Sequence, residues 1–518
     1  MVRHDGNFIR TGNPDFRESI KWLLKVSFGI PDNYLDNILS AGFDDFIGHL
    51  KNDLMAYVEP EYVDKVYRDS YYAYYASKSS NMPKNCIRIS FFDDDDHLII
   101  EGGMAYGQYD YLKTHYKGFV VLRPTMRNVV GRNAISPDIV KDNGFKICKT
   151  TFSPTAGGFK FTVEAFPAAS QDAETMTCAE TTVWSMMEHF GNRYPEYTPL
   201  LPSNIVSILK QATFERQLPS KGLTEDNLSY IAKSCGFGPQ LYHCDYFPDF
   251  DNILSCYIES GIPIMVALSN RQYINDELRK GSKNVENYLG HAVMCIGHEI
   301  ITDVLVDNTP SQDLAGVTSL LDYDDIKKRF VFIDDNFPPY VMDSLSKPTQ
   351  RYASLFGNRQ GWGHCKIDHF VAPLYKKVYL EPKVAKSYLK ELIASPFMPQ
   401  LHHTPTHRIE VVMRVFLCST RSYRDHVNRS TMSKEMKCMV ATLALPKFIW
   451  VAELTDRGRL KRGVVTGLIL LDATECRTEY HKALIISFCK GNVLYKDGQC
   501  LKGGAIVMND FEQYNNLR

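Results

Sequence analysis

Three short apolar runs, residues 262–268 (IPIMVAL), 291–296 (HAVMCI) and 330–333 (FVFI), most constrain what this chain can fold into. Each is shorter than an ordinary helix and rich in residues that pack in sheets, so each reads as a buried strand. Upstream of them the pattern is helical, over 178–190, 203–214 and 225–233. The last of these has Thr224 before its start and Gly236 just past its end. Those residue types satisfy unpaired N–H groups at a helix start and accept the left-handed turn that ends one. Helices first and strands afterwards predict an α+β region.

At 518 residues the chain exceeds what one core supports, and domains of about 100–200 residues predict roughly three. The divisions fall at residues 1–165, 166–345 and 346–518, with mixed α/β flanks on either side of the α+β centre. In the first segment helices are expected over 16–26 and 32–39, strands over 86–92, 118–125 and 159–166, and a half-buried tyrosine-rich helix over 67–76. The acidic run Asp93 to Asp96 reads as a solvated turn, because consecutive carboxylates do not converge on one cation. The last segment predicts a helix over 383–392 and strands over 411–418, 448–454 and 466–474, with no catalytic signature.

Composition excludes several classes. The formal net charge of -1, from 59 basic and 60 acidic side chains, provides no field to attract nucleic acid or an anionic membrane. No apolar run approaches the ~18–20 residues that cross a bilayer, and the N-terminus MVRHDGNFIR lacks a signal core, so the expected location is the cytoplasm. The 13 cysteines are odd in number and never spaced as C-x-x-C, against both a disulfide framework and a zinc knuckle. His364, Cys365 and His369 lack a second ligand pair, and His402, His403 and His407 read as loop residues. Phosphate-loop and dinucleotide fingerprints are absent. No metal and no cofactor is expected.

Chemistry concentrates in Gln171 to Phe190, QDAETMTCAETTVWSMMEHF. Thr177 and Glu180 stand in the relation of a capping box, which makes Cys178 the first helical residue. A sulfur at the positive end of a helix is favoured as thiolate, the form that attacks carbonyl carbon. Such a nucleophile needs a base, and the base needs a partner that orients it. His291, at the start of one strand, and Asp334 and Asp335, just past another, can reach one end of a sheet. Strand alternation lets only one of the two aspartates meet the imidazole and leaves the choice between them open. Gln171, on the approach to the helix, can join the Cys178 N–H in stabilising an oxyanion, worth roughly 3–4 kcal/mol for a single donor.

Glutamine before a helix-start cysteine, GHAVMCIG on a strand and FIDDN after the next strand together resemble papain-like cysteine peptidases, most closely those that process bacteriocin leaders. The resemblance covers about residues 171–340. It implies a papain-like central domain, with the cysteine helix packed on an antiparallel sheet that carries histidine and aspartate. It also implies Cys178 as nucleophile, His291 as general base and acid, Asp335 or Asp334 as orienter, with Asp335 slightly favoured because the papain-like orienting residue lies just past the strand, and Gln171 in the oxyanion hole, acting on a protein or peptide substrate through a thioester. An acyltransferase of transglutaminase type would use the same triad. A non-catalytic scaffold that keeps the core is the alternative outside enzymes.

Overall fold

The computed structural model describes residues 8–79, 82–96, 98–99, 108–213, 216–282, 285–314, 318–352, 361–395, 409–476, 483–488, 494–496, 499–501 and 509–518. The architecture is mixed α+β, with sheets that are largely antiparallel. The chain groups into two compact units built from interleaved segments: 1–236 with 265–296 and 331–371, and 237–264 with 297–330 and 372–518. This grouping differs from the three consecutive segments expected from length. Short crossings from one unit to the other inside strand regions leave no punctuation in composition.

The first unit opens on a six-stranded antiparallel sheet, in the order Phe8–Arg10, Met55–Tyr62, Cys86–Phe92, Tyr116–Leu122, Val130–Ile135, Pro167–Ala168. Cys86–Phe92 is buried at every position, as a strand with both faces covered must be. The expected tyrosine helix is Lys65–Ala73; it buries Tyr67 in the unit's core while Tyr72 is exposed. The expected strand over 159–166 is broken into Phe159–Lys160 and Val163–Ala165.

The acidic run is not simply a solvated turn. Asp94 is buried and accepts hydrogen bonds from Arg10 Nη2 (2.7 Å), Tyr111 Oη (3.1 Å) and the Leu98 N–H (2.9 Å). Its carboxylate thereby organises the turn that Asp95 and Asp96 expose. Sequence position alone does not reveal which of four equivalent acids faces inward.

The helix Cys178–Arg193 buries Val183, Trp184, Met186, Met187 and Phe190, each worth about 1.5–3 kcal/mol relative to exposure. Downstream strands include Ile264–Ser269, Gly290–Glu299, Arg329–Ile333, Val341–Ser344 and Lys366–Tyr375, which neighbour one another in the order 366–375, 264–269, 290–299, 329–333, 341–344. Ile264–Ser269 pairs antiparallel with Lys366–Tyr375. The helix expected over 203–214 is shorter, Pro202–Leu209. The capped helix is Glu225–Ser234, with Thr224 accepting from the Asn227 N–H at 3.3 Å and Gly236 at φ 100°.

The second unit is centred on another six-stranded sheet, ordered Gln312–Leu314, Thr318–Asp322, Ile409–Ser419, Phe448–Thr455, Gly467–Asp472, Ala483–Phe488. All its pairs are antiparallel except Thr318–Asp322 with Ile409–Ser419. Phe416, Ile449, Val451, Leu468 and Leu470 fill a core beneath the helices Thr420–Arg429 and Lys434–Thr442. Among the described residues no helix is long and apolar enough to cross a membrane, and no disulfide joins the described cysteines.

Candidate active site

The approach to the cysteine helix is held by one buried carboxylate. Asp172 accepts from the N–H groups of Glu174 (2.9 Å), Thr175 (2.7 Å) and Met176 (2.9 Å), closing a tight turn in which Ala173 takes φ 62°. Burial works against ionisation of Asp172, but Arg123, Thr175 and these N–H groups outweigh it and hold the carboxyl below its usual range. The turn delivers Thr177 to the N-cap and Cys178 to the first helical position. Glu180 completes the capping box, accepting from the Thr177 N–H at 3.1 Å, and its other oxygen accepts from the Ser220 hydroxyl. Cys178 is half-buried.

His291 enters from the start of the strand Gly290–Glu299 and is almost wholly buried. Its Nε2 lies 3.0 Å from Asp334 Oδ1 and 3.7 Å from Asp335 Oδ1. Burial alone would lower the imidazole pKa. The Asp334 charge and hydrogen bond, the Cys178 thiol acting as a hydrogen-bond partner, and the Asp335 charge more than offset it and raise the value well above its ordinary one. The ring is therefore favoured as imidazolium, next to the cysteine.

The preference for Asp335 as orienter is corrected by this geometry, since Asp334 makes the closer contact. Nor does alternation separate the two acids. The strand Arg329–Ile333 ends before both of them, and once the chain leaves the pleat, period two no longer governs side-chain direction. Asp334 is ringed by donors. Its Oδ1 also accepts from the Asn336 N–H (3.1 Å) and Tyr352 Oη (2.9 Å), and its Oδ2 from Arg351 Nη2 (2.6 Å). Burial would raise the Asp334 pKa, but His291 and Arg351 hold it well below the usual carboxylate range. Asp335 moves the other way. Burial and the Asp334 charge push it up to about 7, while one oxygen meets the Thr181 hydroxyl at 3.2 Å and the other has no hydrogen-bond partner.

Four side chains at this site were not singled out from the sequence. Asn336 links the cluster to Gln171: its Oδ1 accepts from Gln171 Nε2 at 2.8 Å, while its Nδ2 donates to Tyr352 Oη at 3.1 Å and lies 3.4 Å from His291 Nε2. Arg351 and Tyr352 come from a loop-rich segment, where no periodicity marks them. Trp362 stacks on Tyr352 at 4.7 Å between ring centroids and meets the His291 ring edge-on at 6.0 Å. The one available signal was the asparagine that ends FIDDN.

The ligand atoms of His291, Asp334 and Asp335 lie within 4.8 Å of one another, close enough to surround a cation. The Arg351 guanidinium on Asp334, together with the donors already filling both its oxygens, argues against one. His243, Cys244 and Asp245 form a similar grouping in the second unit, but they are consecutive residues of one turn whose contacts include each other. Of the residues around GWGHCKIDH with zinc-ligand chemistry, His364 stacks on Tyr273 (3.7 Å) and sits 3.2 Å from Glu286 Oε2, and burial pushes the Cys365 thiol up to about 12. His402, His403 and His407 lie outside the described residues.

Of the five residues expected at a site, Gln171, Cys178, His291, Asp334 and Asp335, all come together through direct contacts or through Asn336 and Thr181. The cluster offers a thiol at a helix start, an imidazole beside it, an ionised acid behind the imidazole and a side-chain amide nearby, the components of nucleophilic acyl transfer. Compared with known families and with curated proteins, the chain matches no family model and no curated sequence.

Proposed function

We propose that this chain is a cysteine hydrolase of papain-like architecture that cleaves a peptide or isopeptide bond of a protein or peptide substrate. The observation that carries the reading is the 3.0 Å contact between Asp334 and His291, an imidazole that Asp334 and the Cys178 thiol together favour as imidazolium. An imidazolium beside a cysteine at a helix start is the setting in which a thiolate persists. Cys178 Sγ attacks the carbonyl carbon, and the negative charge that develops on oxygen meets the Cys178 N–H and the Gln171 amide. Asn336 engages one hydrogen of that amide, and a carboxamide nitrogen carries two. His291 then protonates the leaving amine as the C–N bond breaks, leaving a thioester. Water attacks the thioester with His291 taking its proton, and breakage of the C–S bond releases the acid and returns Cys178 and the protonated His291 to their starting state. Asp334 stays ionised and keeps the ring oriented throughout.

Labelling by a peptidyl vinyl sulfone at neutral pH, mapped by peptide mass spectrometry, tests this. The expected result is a Cys178 adduct in the wild type and its complete loss in Cys178→Ala. Equal adduct yield at Cys178 and at the exposed Cys438 in the wild type would overturn it.

A further inference from the structure

Asp335 has a hydrogen-bond problem that its protonation state decides. The Thr181 hydroxyl touches two oxygens, Thr177 O one turn back and Asp335 Oδ2 at 3.2 Å. A hydroxyl has one hydrogen, and the backbone carbonyl can only accept. If that hydrogen goes to Thr177 O, the contact with Asp335 closes only when Asp335 donates. The other Asp335 oxygen, Oδ1, is buried without a hydrogen-bond partner at 3.7 Å from His291 Nε2. An unpartnered oxygen is far less costly in a neutral acid than in a carboxylate.

We propose that Asp335 is a second positioning residue for His291, held as the neutral acid and donating through Thr181 to the helix that bears Cys178. Thr181 lies three residues along from Cys178, on the same face of the same helix. Asp335 therefore spans the gap between the nucleophile's helix and the base's ring. The two neighbouring acids have separate roles, since Asp334 carries the negative charge while Asp335 carries a proton and the mechanical link. Two like charges this close cannot both ionise cheaply, and burial beside Asp334 pushes Asp335 up to about 7. The charged groups that face it are His291 from the sheet, Asp334 from its own turn and Arg127 from the segment before the strand Val130–Ile135. As pH rises past that value, the donated hydrogen is lost and a second negative charge appears at the imidazole.

The inference rests on the reading of Cys178 and His291 as nucleophile and base. Its test is the rate of iodoacetamide alkylation at Cys178, measured by peptide mass spectrometry from pH 5 to 9, with the exposed Cys438 as internal reference. Asp335→Ala removes the link and is expected to slow alkylation at pH 6 by about tenfold or more, as misplacement of reacting groups does. Thr181→Val removes the same link from the helix side and should reproduce that loss. Asp335→Asn keeps a donor of the same shape, so it should recover most of the rate at pH 6 while lacking the inflection near neutral pH that is expected of the wild type. Asp335→Asn as slow as Asp335→Ala at pH 6 would show that the anion is required and overturn the inference alone. Asp335→Ala and Thr181→Val with wild-type profiles would do the same. A wild-type Cys178 no more reactive than Cys438 would remove the underlying reading, and this inference with it.

Discussion

Each of the two units buries a histidine, a carboxylate and an arginine together, and the clusters differ in what the second nitrogen of the histidine meets. In the second unit His298 Nε2 lies 2.6 Å from Glu259 Oε1, while Arg414 donates to Glu259 Oε2 at 2.9 Å and to Glu453 Oε2 at 2.9 Å. Arg414 and His298 overcome burial to hold Glu259 well below the usual range, and burial pushes Glu453 up to about 7. The residue types match those of His291, Asp334, Arg351 and Asp335 group for group. Yet the second His298 nitrogen is taken by the Glu299 carbonyl at 2.6 Å, so the ring is saturated. His291 instead meets a half-buried thiol. Buried histidine-carboxylate-arginine sets are common structural devices; the half-buried thiol beside His291 is what distinguishes the first cluster.

Removing each histidine in turn should separate the two clusters most widely. His291→Ala should lower the rate of Cys178 modification by about 10²–10⁴, the usual scale of a lost general acid and base. His298→Ala should leave that rate within about twofold while costing about 1–3 kcal/mol for the unpaired buried groups it leaves. Alkylation kinetics and urea denaturation of the two variants check both. Comparable losses of reactivity would erase the distinction between the clusters.

The arginines give the next contrast. Arg414→Met and Arg351→Met each strand a buried carboxylate, and each should cost about 3–5 kcal/mol in denaturant unfolding. Only Arg351→Met should also alter Cys178 reactivity, because only there does the stranded acid contact a ring beside a thiol. The weakest effect is common to both clusters. Asp335 and Glu453 both have raised values near 7, so each binds its proton more tightly folded than unfolded. That stabilisation is fully present below about pH 4, the ordinary carboxyl value, and is lost as pH rises to about 7. Asp334 has the opposite sign, stabilising above its ordinary value and losing that only as pH falls well below it. Asp335→Asn and Glu453→Gln should each flatten the decline of the urea midpoint between about pH 4 and 7; an unchanged slope in either would contradict the assigned direction.

Much of the local structure was legible in the residues. Thr177 and Glu180 announce a helix start, Thr224 and Gly236 bracket another helix, and the runs IPIMVAL, HAVMCI and FVFI are strands because nothing else buries such short apolar segments. These are short-range effects, set within a few residues of chain, and they put Cys178, His291 and the aspartate pair on the elements found. The partners that settle the chemistry of the cluster are different in kind. Whether Asp334 or Asp335 meets the imidazole depends on where the strand stops. Whether Asp94 is solvated depends on Arg10, 84 residues away. Arg351 reaches Asp334, and Tyr352 and Trp362 reach His291, from a segment without periodicity, and the division into interleaved units follows contacts that no local pattern records. The residue types and their spacing established which groups could react. Which of those groups are charged and which are held was left to the folded arrangement, because burial and the placement of distant charges set both.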